Sequence, residues 1–210
     1  MFERVYVPSS RGAQIPMDVY VPRVSREIEP DIRRPAIVVC PGGGYEFCSE
    51  RESEAVALRF LAEGFNVFVI WYRVGAAACD ERRDHDAQKW YQKSAEHIFP
   101  LPQHDIASAV AHVRAHAAQY HTDPDRIAVM GFSAGGHLAA SLATLYSSDK
   151  TRPDFQILFY PVISMQKGVT PGGSRKNLIG ENPSQELEQK YSLERQVSPG
   201  TPQAFIMLSS

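Results

Sequence analysis

The sequence has few cysteines. Cys40, Cys48 and Cys79 are an odd number at spacings that match no zinc pattern. Cys40 ends an apolar run and reads as a buried free thiol. Charge of one sign is also scarce: 22 Lys and Arg against 24 Asp and Glu leave a formal net charge of −2. Nothing in that balance points to nucleic acid or an anionic membrane as partner. The opening residues, MFERVYVPSS, form no apolar leader, and no later run approaches the length of a membrane span. A cytoplasmic location is the expectation. Internal repeats and low-complexity tracts are absent, so the order of elements carries the fold.

What is present is a globular composition, 43% hydrophobic and 22% charged over 210 residues. That length predicts one domain, 1–210, with a substantial core. ERVYVP and MDVYVP read as two short strands with Arg11-Gly12 at the turn between them. AIVVC, between Pro35 and Pro41, is a β-branched run suited to a strand covered on both faces. From Ser49 the pattern turns helical: Ser49 with Glu52 makes a capping-box signature, Ala55, Leu58, Leu61 and Ala62 recur at helical spacing, and Gly64 marks the stop. NVFVIWYRV is a second buried strand.

Residues 74–103 are polar and irregular and read as a surface insertion. Ile106, Val110, Val113, Ala117 and Tyr120 give a helix over 105–120, opened by the Asp105 carboxylate. DPDRIAVMGF is a turn and strand, GGHLAASLATLY a helix with Leu138, Leu142 and Leu145 on one face, and DFQILFYPVIS a strand. Residues 165–202 are variable, with one helix near 184–192, and QAFIMLSS begins a last strand. Strands alternating with helices predict an α/β domain, a mostly parallel sheet with an antiparallel N-terminal edge and helices on both faces.

Two glycine-rich stretches carry chemistry. Gly131-Phe-Ser133-Ala-Gly135 fits G-x-S-x-G. Composition alone produces such a match in roughly one chain of this length in fifteen, so the strand before and the helix after supply most of its meaning. A strand reversing sharply into a helix leaves no room for side chains two positions either side of the serine, and the serine hydroxyl is left exposed at the strand tip. Amides at the start of the helix point at the same space and favour negative charge there. PGGGY, from Pro41 to Tyr45, places three glycines directly after a buried strand. Ordering them is entropically unfavourable, which suggests that a ligand approaches this backbone. In acyl transfer such a loop donates N–H groups to the oxyanion, here Gly43 and Gly44, with Ala134 from the elbow.

VVCPGGGY, GFSAGGHLAA and FYPVIS, in this order, resemble the α/β-hydrolase superfamily over nearly the whole chain. The resemblance is strongest to its small serine esterase branch of acetyl-xylan and feruloyl esterase-like proteins, related to hormone-sensitive lipase. It implies an α/β-hydrolase fold, Ser133 as nucleophile and Gly43, Gly44 and Ala134 as oxyanion hole, with no cofactor and no metal. Its substrate would be a small-molecule or oligosaccharide ester, with acetyl or another small acyl group on carbohydrate. The hormone-sensitive lipase relatives begin the loop with histidine, where this chain has Pro41. Trp90, Tyr91 and Phe99 are candidates for stacking on sugar, against the plainer reading that they pin a loop.

The resemblance also implies an acid and then a histidine after the serine. No histidine follows His137, which reads as a packing residue of its helix. His85, His97, His104, His112, His116 and His121 precede Ser133. Asp154 would lie at the wrong edge of the sheet, and Glu181 and Glu186 fall in the variable region. The expectation is a C-terminally truncated chain, lacking a last strand and helix, with weak or absent turnover and exposed apolar surface. Two alternatives remain: a serine peptidase-like hydrolase, and a non-catalytic binding protein of the same fold without acid and histidine.

Overall fold

The computed structural model describes residues 2–25, 27, 29–75, 98–170 and 172–208. Two strands open the chain, β1 (Phe2–Pro8) and β2 (Gln14–Tyr20), antiparallel to each other. Arg11 and Gly12 make the turn with positive φ. β3 (Arg34–Cys40), α1 (Glu54–Ala62) and β4 (Asn66–Ile70) follow as a parallel crossover. Next come α2 (Leu101–Ala115), β5 (Thr122–Phe132), α3 (Ala134–Leu145) and β6 (Phe155–Phe159). Finally α4 (Gly172–Ile179), α5 (Gln185–Tyr191) and β7 (Ala204–Met207) close the described chain.

The strands form one sheet in the order β1-β2-β4-β3-β5-β6-β7. β2 pairs antiparallel with β4, and every pairing from β4 to β7 is parallel. The α/β architecture with an antiparallel N-terminal edge is as expected from the sequence.

Side-chain alternation assigns the two faces. Ala36, Val38, Phe68, Ile70, Ile127 and Val129 join the core under α2 and α3. Ile37, Val39, Val67, Val69 and Met130 join a smaller core under α1. On α2, Ile106, Val110 and Val113 are buried, as their spacing predicts.

Three local expectations are corrected. The face of α1 that packs is Val56, Ala57, Phe60 and Leu61, whereas Leu58 is 46% exposed and Ala55 and Ala62 are exposed. α2 starts at Leu101, so Asp105 is not at its opening. The Asp105 carboxylate is buried and accepts from Ser9 Oγ at 2.6 Å, Arg73 N at 2.9 Å and Arg73 Nη2 at 2.6 Å. It joins the β1–β2 turn, the exit of β4 and α2. The variable region holds α4 in addition to the expected helix near 184–192.

The chain moves from β3 to β4 on one side and returns to place β5 on the other. The loops leaving the C-terminal ends of β3 and β5 therefore diverge. In an open parallel sheet that crevice is where ligands bind. The glycine loop follows β3, and Ser133 follows β5.

Candidate active site

Ser133 occupies φ 51°, ψ −118°, a conformation that side chains other than glycine's rarely adopt. Its surroundings hold it there. Ser133 N–H donates to Phe159 O at 3.1 Å, and Ser133 O accepts from His137 N at 3.1 Å and Val162 N at 3.0 Å. A Cβ on Gly131 would collide with the Gly135 carbonyl, and one on Gly135 with the carbonyls of Cys40 and Pro41. The flanking glycines are thus steric requirements of the turn. Ser133 is half-buried, and its hydroxyl has no hydrogen-bond partner among the described residues.

The glycine loop is fixed at several points. Gly43 and Gly44 have φ of 128° and 66°, and Tyr45, fully buried, follows at 59°. Gly42 N–H donates to Glu52 Oε2 at 2.6 Å. Gly44 O accepts from Asn177 Nδ2 of α4 at 2.9 Å, and Tyr45 O from Gly75 N at 2.7 Å. Tyr72 OH donates to Pro41 O at 2.6 Å. The N–H groups of Gly43, Gly44 and Ala134 have no acceptor among the described residues. Unmatched amides on a loop and at the start of a helix are donors of the kind that favour an anionic oxygen.

His137 is fully buried in α3. Its Nε2 lies 2.9 Å from the Tyr191 carbonyl, which can only accept, so Nε2 carries the proton and Nδ1 accepts from Tyr45 OH at 2.8 Å. Burial holds its pKa down to about 4, so the ring is neutral. It supports the loop and the helix, in line with its reading as a packing residue, and both nitrogens are engaged away from Ser133.

Among the described residues no histidine side chain bonds to the Ser133 hydroxyl. His112 and His116 stack on each other along α2, with centroids 4.0 Å apart. Asp154, just before the start of β6, accepts from Arg114 Nη2 at 3.0 Å and from Ile127 N at 2.9 Å, six residues along β5 from Ser133. Glu181 pairs with Lys176 on the surface. The described residues hold no group of three or more His, Cys, Asp or Glu able to bind a metal ion.

Phe99 packs against Tyr191 at a centroid distance of 5.7 Å, which fits the loop-pinning reading. Trp90, Tyr91 and Cys79 lie outside the described residues. Ser49-x-x-Glu52 is no capping box: α1 begins at Glu54, and the Glu52 carboxylate reaches Gly42 and, at 2.8 Å, Tyr160 OH. Sequence reasoning missed Glu52, Tyr45 and Asn177 as supports of the loop. For Glu52 the signal was visible and was assigned to the helix start.

Residues 90–204, over half of the chain, match the family model described as alpha/beta hydrolase fold. The chain belongs to the α/β-hydrolase family. The chain is 34% identical over 186 residues to endo-1,4-beta-xylanase B of Butyrivibrio fibrisolvens, covering 84% of the chain and 27% of that protein. It is also 34% identical over 176 residues to the acetylxylan esterase of Xylanibacter ruminicola, covering 82% of the chain and 32% of that protein. The chain therefore spans only about a quarter to a third of these two relatives. A solved relative is the acetyl ester-xyloside bifunctional hydrolase of Caldicellulosiruptor lactoaceticus, with TM-score 0.76 and 31% identity over 97% of this chain and 73% of that one. Esterases are thus among the chain's relatives. No helix among the described residues is long and apolar enough to cross a membrane.

Proposed function

We propose that the protein is a serine carboxylic-ester hydrolase that removes acetyl or other small acyl groups from carbohydrate through an acyl-enzyme on Ser133. The observation that carries this reading is the juxtaposition at the β3/β5 crevice: a serine held at positive φ with an unengaged hydroxyl, against Gly42 of a glycine loop whose Gly43 and Gly44 amides, like that of Ala134, have no acceptor among the described residues. Ser133 Oγ attacks the ester carbonyl carbon as a base removes its proton. The carbonyl electrons move onto oxygen, which Gly43, Gly44 and Ala134 N–H groups stabilise. Collapse expels the alcohol with a proton returned by the same base, and water then repeats the sequence to release the acid.

None of the described histidines is placed as a base to the Ser133 hydroxyl. The substrate class is supported by the acetylxylan esterase and the acetyl ester-xyloside hydrolase among the relatives.

The test is hydrolysis of p-nitrophenyl acetate and acetylated xylan by the full-length protein and its Ser133→Ala variant. Loss of at least roughly 10⁴-fold in kcat, together with covalent capture of a fluorophosphonate on Ser133, is the expected result. Turnover that survives Ser133→Ala would refute the reading. A preference for acyl-peptide over acetyl-ester substrates would move it to the peptidases.

A further inference from the structure

Glu52 lies outside the residues so far given a chemical role, yet its carboxylate joins the two halves of the site. Oε2 accepts the Gly42 N–H at 2.6 Å, and Oε1 accepts the Tyr160 hydroxyl at 2.8 Å. Gly42 stands between Glu52 and Ser133: a Cβ there would lie 2.8 Å from Glu52 Oε2 and 3.3 Å from Ser133 Cβ. Tyr160, at φ 37°, follows directly on Phe159, whose carbonyl accepts from Ser133 N–H. Two residues further, Val162 N–H binds Ser133 O. One carboxylate therefore spans the donor loop after β3 and the β6 tip that holds the serine.

We infer that Glu52 is a positioning residue for the reaction proposed above: by occupying the Gly42 amide and bracing it against Tyr160, it leaves Gly43 and Gly44 as the loop's free donors and fixes their distance from Ser133. The inference rests on the ester-hydrolase reading. Three successive glycines have many backbone conformations, and without a fixed acceptor the Gly42 amide is free to turn toward the oxyanion itself. A 1 Å displacement of a donor or reacting group is worth up to about 100-fold in rate. A carboxylate beside a developing oxyanion is electrostatically unfavourable, so its usefulness lies in its reach and its two acceptor atoms. Tyr160 and Gly42 between them supply a donor to each oxygen. The raised pKa of Tyr160, about 12 and caused by burial and then by the Glu52 hydrogen bond, accords with a hydroxyl that keeps its proton in that bond.

Charge and reach can be separated by substitution. Glu52→Gln keeps the reach and an acceptor for Gly42 while removing the charge. Glu52→Asp keeps the charge and withdraws it by one methylene. With p-nitrophenyl acetate and the full-length protein, the expected result is kcat for Glu52→Gln within about threefold of the parent and kcat for Glu52→Asp down roughly 10- to 100-fold. KM should remain within about threefold for both, because the ground-state ester does not need the oxyanion donors. The rate of fluorophosphonate capture by Ser133 should follow the same order. Thermal melts show whether each variant is folded, and neither substitution alters a fully buried side chain.

The reverse order, Asp active and Gln impaired, would show that the charge acts and would overturn the inference. Parent-like kcat in Glu52→Asp, or a loss confined to KM, would do the same. If Ser133→Ala left turnover intact, the ester-hydrolase reading itself would fall. That outcome is distinct from one in which Ser133 is essential and Glu52 is not.

Discussion

Acidification should weaken this fold through His137, and the size of the effect follows from its environment. The ring is fully buried, with its proton on Nε2 facing the Tyr191 carbonyl and Nδ1 accepting from Tyr45 OH. Burial, partly opposed by the Tyr191 carbonyl and Glu194, lowers its pKa from 6.5 to about 4. An unfolded chain takes up this proton below pH 6.5, but the folded chain does so only below about pH 4. Stability from the neutral ring is therefore full above pH 6.5 and declines as pH falls toward 4. At 1.36 kcal/mol per pH unit the complete loss is about 3 kcal/mol, of which about 2 kcal/mol is gone by pH 5. Urea unfolding of the full-length protein and of His137→Gln at pH 7.5 and pH 5 isolates this contribution, since the other titrating groups are common to both. The parent should be the more stable at pH 7.5, and its advantage should shrink by about 2 kcal/mol at pH 5. An advantage unchanged between the two pH values would refute the reasoning.

Three further outcomes are expected. Arg73→Met leaves the buried Asp105 carboxylate without its cation and should lower stability by about 3–5 kcal/mol in urea titrations, whereas a change below about 1 kcal/mol would show that the pair is dispensable. Gly131→Ala forces a methyl into the Gly135 carbonyl and should abolish cooperative melting or lower Tm sharply, while Gly172→Ala, with nothing within 4 Å, should stay within about 0.5 kcal/mol of the parent. Phe205, Ile206, Met207 and Leu208 are all more than half exposed on and just past the outer strand β7, so residues 1–210 should aggregate when made alone. Phe205→Glu should reduce light scattering from that chain, and equal scattering would place the sticky surface elsewhere.

The residues that revealed the fold are those whose neighbours are set by local periodicity. Val38 and Val39 face opposite layers because strand side chains alternate, and Ile106, Val110 and Val113 face one layer because helical side chains recur every third or fourth position. Gly131 was legible for a related reason: its collision, with the Gly135 carbonyl, occurs within one strand-turn-helix unit, whereas the collision at Gly135 is with the Cys40 and Pro41 carbonyls at the end of β3. What stayed hidden depends on partners distant in sequence. Asp105 looked like a helix-opening carboxylate because its cation, Arg73, arrives from 32 residues upstream. Glu52 satisfied a local capping signature with the same letters that serve Gly42 and Tyr160, the latter 108 residues away. On α1 two apolar stripes were available, and packing against the sheet selected Val56, Ala57, Phe60 and Leu61.

The adjacency of β3 and β5 has a consequence for biosynthesis. The glycine loop has emerged by residue 44, but Ser133 follows almost 90 residues later. Between them β4 takes the other flank of β3, so the strand carrying the serine can join only the flank that remains. Nothing local holds the two halves together before then, and non-local strand pairing of this kind is slow to form. On the ester-hydrolase reading no chemistry can begin before β5 has docked, and any protein cut before Thr122 would carry the glycine loop without Ser133.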